Sequence, residues 1–220
     1  MAVADRARRR AGRLKSALAP ADARKVRSST EQLALVRGWD DTRATLRRWR
    51  HRDVVQEHGI RLRCVLSGRD EGNLEYVLRC AADLGVRDRV IYVGSVEVDD
   101  MPPLYRNATA LVFPSAVGPD NLPPLEAMSL GCPVITADVP GTREQCGDAA
   151  LFFPPMDERQ LADRIADVVR TDGLRDQLIQ AGFRRAASWT ADDYIGAVLV
   201  ILDEFARVAR NWEHSNVKLT

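Results

Sequence analysis

The chain has 220 residues, 45% of them hydrophobic and 29% charged, with a net charge of +1. This composition is that of a folded α/β-sized domain; it excludes a fibrous or disordered chain, and the near-zero charge gives no overall pull toward nucleic acid. No apolar run approaches the roughly 20 residues that span a bilayer, and the N-terminus lacks the apolar stretch of a secretory signal, so a cytoplasmic location is expected.

Charge is concentrated at the start. Residues 1–30 carry seven Arg, Lys15 and Lys25 against Asp5 and Asp22, nine minus two, or +7. With no sustained apolar face, this stretch reads as a disordered, solvated tail or a frayed helix. Attraction to an anionic lipid surface is a second reading, which would make the protein peripheral at the inner face of the membrane. A start codon placed outside the true gene is a third. Residues 31–60 hold an apolar run at 32–36 (QLALV) and a basic segment at 41–57 whose core-facing stripe is carried by Leu46, Trp49 and Val54. They could form one βα unit ahead of the main domain, which is expected over 61–210, with 211–220 as a tail.

From Arg61 onward, short apolar runs alternate with helical spacing. Residues 62–67 (LRCVLS) predict a buried strand, and 71–84 a helix stopped by Gly85. A strand follows at 89–93 (RVIYV), closed by Gly94, then a short helix at 99–107. Pro102 and Pro103 fall in its first turn, where a missing N–H costs nothing. Strands are expected at 109–113 (TALVF), 133–136 (PVIT) and 150–153 (ALFF), with a helix at 122–130 ended by Gly131. Three helices close the chain, at 158–170, 174–188 and 191–210. Alternating apolar strands and helices imply a Rossmann-like, doubly wound parallel sheet covered on both faces. Cys64, Cys80, Cys132 and Cys146 are widely spaced among apolar neighbours, and the histidines are His51, His58 and His214. Reduced thiols are therefore expected, with no metal site.

In such a sheet ligands bind at the carboxyl ends of the strands, where the winding reverses. Three loops there carry suitable chemistry. Gly68, between Ser67 and Arg69, lets a ligand approach the backbone, although turns after strands use glycine anyway. Gly94, Ser95 and Val96 offer backbone groups to the edge of a base. The run from Pro114 to Glu126 crosses from a strand into a helix. Asn121 is its candidate N-cap and Leu122 lies in the first turn; a helix start suits a diphosphate, and because Pro123 and Pro124 donate nothing, only nearby amides such as those of Asn121 and Leu122 are available. Glu126 lies one turn in. It could accept from a ribose diol, or simply favour the helix dipole, which is worth about 0.3–1 kcal/mol.

Several of these segments together resemble the donor domain of the retaining GT-B glycosyltransferases known as group 1. They are YRNA from Tyr105, LVFPS ending at Ser115, LPPLEAM from Leu122 and GCPVI from Gly131. PGTRE from Pro140 and GDAALFFPP from Gly147 add to them, and the order and spacing match over 62–185. The resemblance implies one half of a GT-B fold and a UDP- or GDP-sugar as substrate, with no further cofactor. The sugar would pass to an acceptor hydroxyl with retention. It implies that Glu126 binds the ribose, that Gly94 to Val96 flank the base, and that Asn121 and Leu122 face sugar and phosphates.

Two departures from the family follow. The family commonly carries two glutamates separated by seven residues, the first contacting the donor sugar's hydroxyls, and Gly118 stands at the position that would partner Glu126; Asp120 or backbone amides would take over its contact with the sugar. Basic residues expected near the end of the first strand would be Arg37, Arg43 or Arg69, of which Arg69 is the catalytic candidate alongside Asp120. An acceptor domain is not visible, so a separate acceptor-domain subunit is an implied partner and the chain alone is expected to be inactive. The final helix would cross toward that domain or pack on its own sheet. A non-catalytic nucleotide or nucleotide-sugar-binding module is the competing reading. Against a dehydrogenase, no Gly-x-Gly-x-x-Gly follows a strand.

Overall fold

A computed structural model describes residues 31–37, 58–70, 72–115, 122–155, 157–188 and 190–215. The expected basic tail at 1–30 and helix at 41–57 lie outside them. Two units are separated after Ala186.

The first unit is built on six strands: β1 (Glu31–Val36), β2 (Arg61–Ser67), β3 (Val90–Gly94), β4 (Ala110–Phe113), β5 (Val134–Ala137) and β6 (Ala150–Phe153). They form one sheet in the order β3-β2-β1-β4-β5-β6, and every pairing is parallel. The sheet runs outward from β1 to β3, then returns past β1 and runs the other way to β6. The 32–36 run is therefore not an appendage. It is the central strand, with Ala34 opposite both Cys64 and Ala110.

Period-two alternation assigns the strand side chains to faces. Val36, Cys64, Leu66, Val112, Ile135 and Ala137 pack in one core cluster, while Leu35, Val65, Leu111, Phe113 and Val134 pack in the other. Both faces are buried, so the strands read as continuous apolar runs rather than alternating ones.

The covering helices are α1 (Leu74–Asp83), α2 (Met101–Asn107), α3 (Leu122–Ser129), α4 (Thr142–Cys146), α5 (Glu158–Arg170) and α6 (Leu174–Ala187). Helix α5 starts at Asp157, whose side chain accepts from the Gln160 amide at 2.9 Å. Its Leu161, Ala162 and Ile165, spaced three and four apart, join Val77 and Ala81 of α1 on the first face. Leu104 and Tyr105 of α2, Ala127 and Met128 of α3 and Ala181 of α6 fill the second. Gly131 ends α3 at φ 73°, and a Cβ there would sit 3.0 Å from Phe183 Cζ, so both conformation and space select glycine.

Some boundaries differ from the sequence-based expectation for local reasons. Helix α1 begins at Leu74 rather than 71, because the Asp70 carboxylate takes the amides of Gly72 (2.8 Å) and Leu74 (3.1 Å) and holds the segment in a turn. Helix α4 was not expected. It is held by the buried Thr142 hydroxyl, which donates to the carbonyls of Ala137 (3.0 Å) and Val139 (2.8 Å).

The second unit contains α7 (Ala191–Ser215), which runs past Arg210 because no Gly or Pro interrupts 211–215. Thr190 and Asp193 cap it reciprocally, at 2.8 Å for the Thr190 amide and 3.2 Å for the Asp193 amide. Ile195, Leu199, Leu202 and Phe205 along it are exposed. No helix among the described residues is long and apolar enough to cross a membrane.

Candidate functional site

The winding reverses between β1 and β4, so the loops leaving these strands diverge and open a cleft at their carboxyl ends. The cleft holds about 490 Å³ and is lined by Arg37, Ser67, Gly68, Ser95, Val96, Val98, Met101, Pro102, Tyr105, Glu126, Ser129 and Leu130.

One wall is two strand ends tied together. The Gly68 amide donates to the Gly94 carbonyl at 3.0 Å, and the Tyr92 hydroxyl donates to the Gly68 carbonyl at 3.1 Å. Gly68 (φ 136°) and Gly94 (φ 72°) occupy backbone conformations that side-chain-bearing residues rarely adopt. The turns they make aim Ser95 and Val96 into the cleft. Val98, in the turn just before α2, and Met101 and Pro102 at its start add an apolar rim.

The opposite wall carries charge. Arg37 is the residue immediately after β1, Tyr105 comes from α2 and Glu126 from α3. The Arg37 guanidinium donates through Nη1 to the Tyr105 hydroxyl at 2.7 Å and also to Glu126 Oε2. The Tyr105 hydroxyl donates to the same Oε2 at 2.8 Å. Burial works against the Arg37 charge, but the Tyr105 and Glu126 oxygens outweigh it and raise its pKa above the ordinary value. Burial also drives the Tyr105 phenol upward, against the pull of Arg37 and with the help of its bond to Glu126. The phenol therefore stays protonated and can donate. Among the described residues, Glu126 Oε1 receives no such bond, and the side chain is 47% exposed toward solvent.

The structure brings Gly68, Ser95, Val96 and Glu126 together around this cleft, as their positions after the strands led one to expect. Gly94 sits behind them, buried, with its carbonyl engaged by Gly68. Arg69 is exposed beside the cleft and does not line it, and Leu122 opens α3 at 56% exposure, also outside the lining. Gly118, Asp120 and Asn121 lie outside the described residues, as does Arg43. Arg37, one of three basic candidates in the sequence, lines the cleft. Tyr105 had no assigned role beyond its place in a motif, and Met101, Pro102 and Ser129 had none at all. The helical spacing from Met101 to Tyr105 was the signal, since it places both on one face of α2. Among the described residues no group of three His, Cys, Asp or Glu is placed to hold a metal ion.

Cleft and sheet together define a parallel α/β domain with a pocket at its topological switch point. Residues 51–185 match the family described as Glycosyl transferases group 1, and the chain belongs to that family. Its sheet is one half of the GT-B fold. The O-antigen chain mannosyltransferase RfbU of Salmonella typhimurium is 32% identical over 100 residues, covering 44% of this chain and 28% of that protein. O-antigen chain mannosyltransferase B of Escherichia coli is 33% identical over 138 residues, 62% of this chain and 36% of that protein. HepE of Anabaena, solved in complex with UDP and glucose, aligns with a TM-score of 0.64 at 18% identity, over 88% of this chain and 53% of that one. The chain thus spans about a third of the length of the two curated relatives. The family match begins at residue 51, so Arg37 enters the cleft from outside it.

Proposed function

We propose that this chain is the donor-binding half of a glycosyltransferase, taking a nucleotide-diphospho-sugar into the cleft for transfer to an acceptor hydroxyl with retention. The observation that carries the proposal is the Glu126 carboxylate, held at the switch point with one oxygen committed to Tyr105 and Arg37 and the other open to the cleft. A carboxylate so placed can accept from both hydroxyls of a ribose. The base would lie against Ser95 and Val96, close to the tied Gly68 and Gly94 turns. The diphosphate would lie toward the start of α3, where Pro123 and Pro124 donate nothing, so the Leu122 amide and the guanidinium of Arg37 supply positive charge to the leaving group. Gly118, Asp120, Asn121 and Leu122 are assigned to sugar and phosphates, and Arg69 to the cleft's lip. Support for a nucleotide-sugar donor comes from family membership and from the UDP and glucose bound in the Anabaena relative.

Transfer further needs an acceptor domain, in the same polypeptide or in a separate subunit, because positioning two substrates accounts for much of such a rate enhancement. Residues 1–30, with their +7 charge, would bring the assembly to an anionic membrane surface. Calorimetric titration of the purified chain with UDP and GDP, then with their sugar conjugates and without added metal, tests the donor site. Saturable binding of one nucleotide is the expected result. A folded sample that binds neither would refute the assignment. Binding without transfer, once an acceptor domain is supplied, would identify a non-catalytic module.

A further inference from the structure

The ring of Arg37, Tyr105 and Glu126 joins three elements that meet only at the switch point. Its hydrogen bonding closes without conflict. The Tyr105 hydroxyl has one proton and two lone pairs; it gives the proton to Glu126 Oε2 and accepts from Arg37 Nη1, which also reaches Oε2. A glutamate on the open side of a helix ordinarily samples several rotamers. Here one carboxylate oxygen is fixed by two donors, one of them from a side chain only 1% exposed. The carboxylate is thereby held in one orientation where Glu126 lines the cleft.

From this geometry we infer that Tyr105, braced by Arg37, is a positioning residue that sets the preference of the cleft for an intact ribose diol over a deoxyribose. It touches no donor atom that the cleft needs; it acts through Glu126. The inference rests on the donor-site reading above and extends it to a residue with no assigned role. It also explains the burial of a tyrosine hydroxyl where phenylalanine would fill the same space: the polar atom costs desolvation unless it is bonded, and both of its bonds point to the carboxylate and its partner.

The test measures a ratio. The full chain is titrated with UDP and GDP and with the 2′-deoxy and 3′-deoxy counterpart of each, and the ribose-over-deoxyribose preference is the readout. Tyr105→Phe should lower that preference by about 3- to 10-fold, as loss of one charge-assisted bond to the carboxylate would, with deoxynucleotide affinity nearly unchanged. Arg37→Lys keeps the charge but loses the planar fork. Its preference should also fall, whatever happens to overall affinity through the diphosphate, so it serves if Tyr105→Phe does not fold. A Tyr105→Phe protein that weakens ribose and deoxyribose ligands equally, or that keeps the full preference, overturns the inference while leaving the donor site intact. A wild-type chain that binds the nucleotides without preferring ribose, or binds none, overturns the donor-site reading and this inference with it.

Discussion

Removing the Glu126 side chain separates binding from folding. Glu126→Ala deletes the acceptor proposed for the ribose, and charge-assisted bonds of that kind contribute about 1.5–3 kcal/mol each. Nucleotide affinity should therefore fall by roughly 10- to 150-fold, at about 1.4 kcal/mol per factor of ten. The folding cost is much smaller. Glu126 is 47% and Arg37 27% exposed, and a partly solvated pair of this kind contributes about 1 kcal/mol or less. The Tyr105 hydroxyl keeps Arg37 as a donor at 2.7 Å; its own proton loses Glu126 Oε2 and turns instead to water entering from the cleft that Tyr105 lines. For a domain of this size the melting temperature should drop by no more than about 2–4 °C. Calorimetric titration with UDP and GDP, paired with a thermal melt, reads both quantities. An unchanged dissociation constant would remove Glu126 from the site. A collapse in melting temperature with proportionate loss of binding would show that the carboxylate serves the fold.

Two further outcomes concern the frame around the cleft. A Cβ at Gly182 would lie 3.2 Å from Met128 Cγ and 3.4 Å from its Cα; Gly182→Ala should cost up to about 2 kcal/mol net, overpacking of about 1–3 kcal/mol against α3 being offset by about 0.5–1 kcal/mol of helix propensity, measured by chemical denaturation, and a raised midpoint would mean that Met128 gives way freely. Alkaline pH should also destabilise the chain. Burial pushes the Cys132 thiol from 9.0 to about 12, and burial, opposed by Arg185, pushes Cys146 to about 11, with Cys64 raised as well. Because the folded pKa values lie above the unfolded ones, this contribution is fully present below about pH 9 and lost as pH climbs toward 11–12, at roughly 1.4 kcal/mol per pH unit for each group. Denaturation midpoints that stay flat from about pH 8 to about pH 10, roughly one unit below and above the unfolded thiol value, would refute it.

The strands after Arg61 were legible because burial on both faces makes them apolar over most of their length, and Gly85, Gly94 and Gly131 punctuate them. The strand at 31–36 was harder. It is equally apolar, but the basic residues that follow it hide the helical spacing that would have marked a βα unit, and strand position in a sheet is set by long-range pairing that no local pattern encodes. Of the site, Gly68, Ser95, Val96 and Glu126 could be read from their places after strands. Tyr105 could not, because a tyrosine in an amphipathic turn ordinarily serves packing, and here it serves packing with its ring and the carboxylate with its hydroxyl. Helix α4 was hidden for a related reason, since Thr142 stabilises it through carbonyls of the preceding turn.

The central strand has a consequence for how the molecule comes into being. Residues 34–36 pair with 64–66 on one side and with 110–112 on the other, so the second pairing must wait until the chain has closed a long loop, the kind of contact that forms slowly. Arg37 reaches Tyr105 and Glu126 only after that closure. A nucleotide that needs all three therefore binds no partly assembled sheet. By mass action it would draw the population toward completed chains, which makes the ligand a gauge of the last topological step in folding.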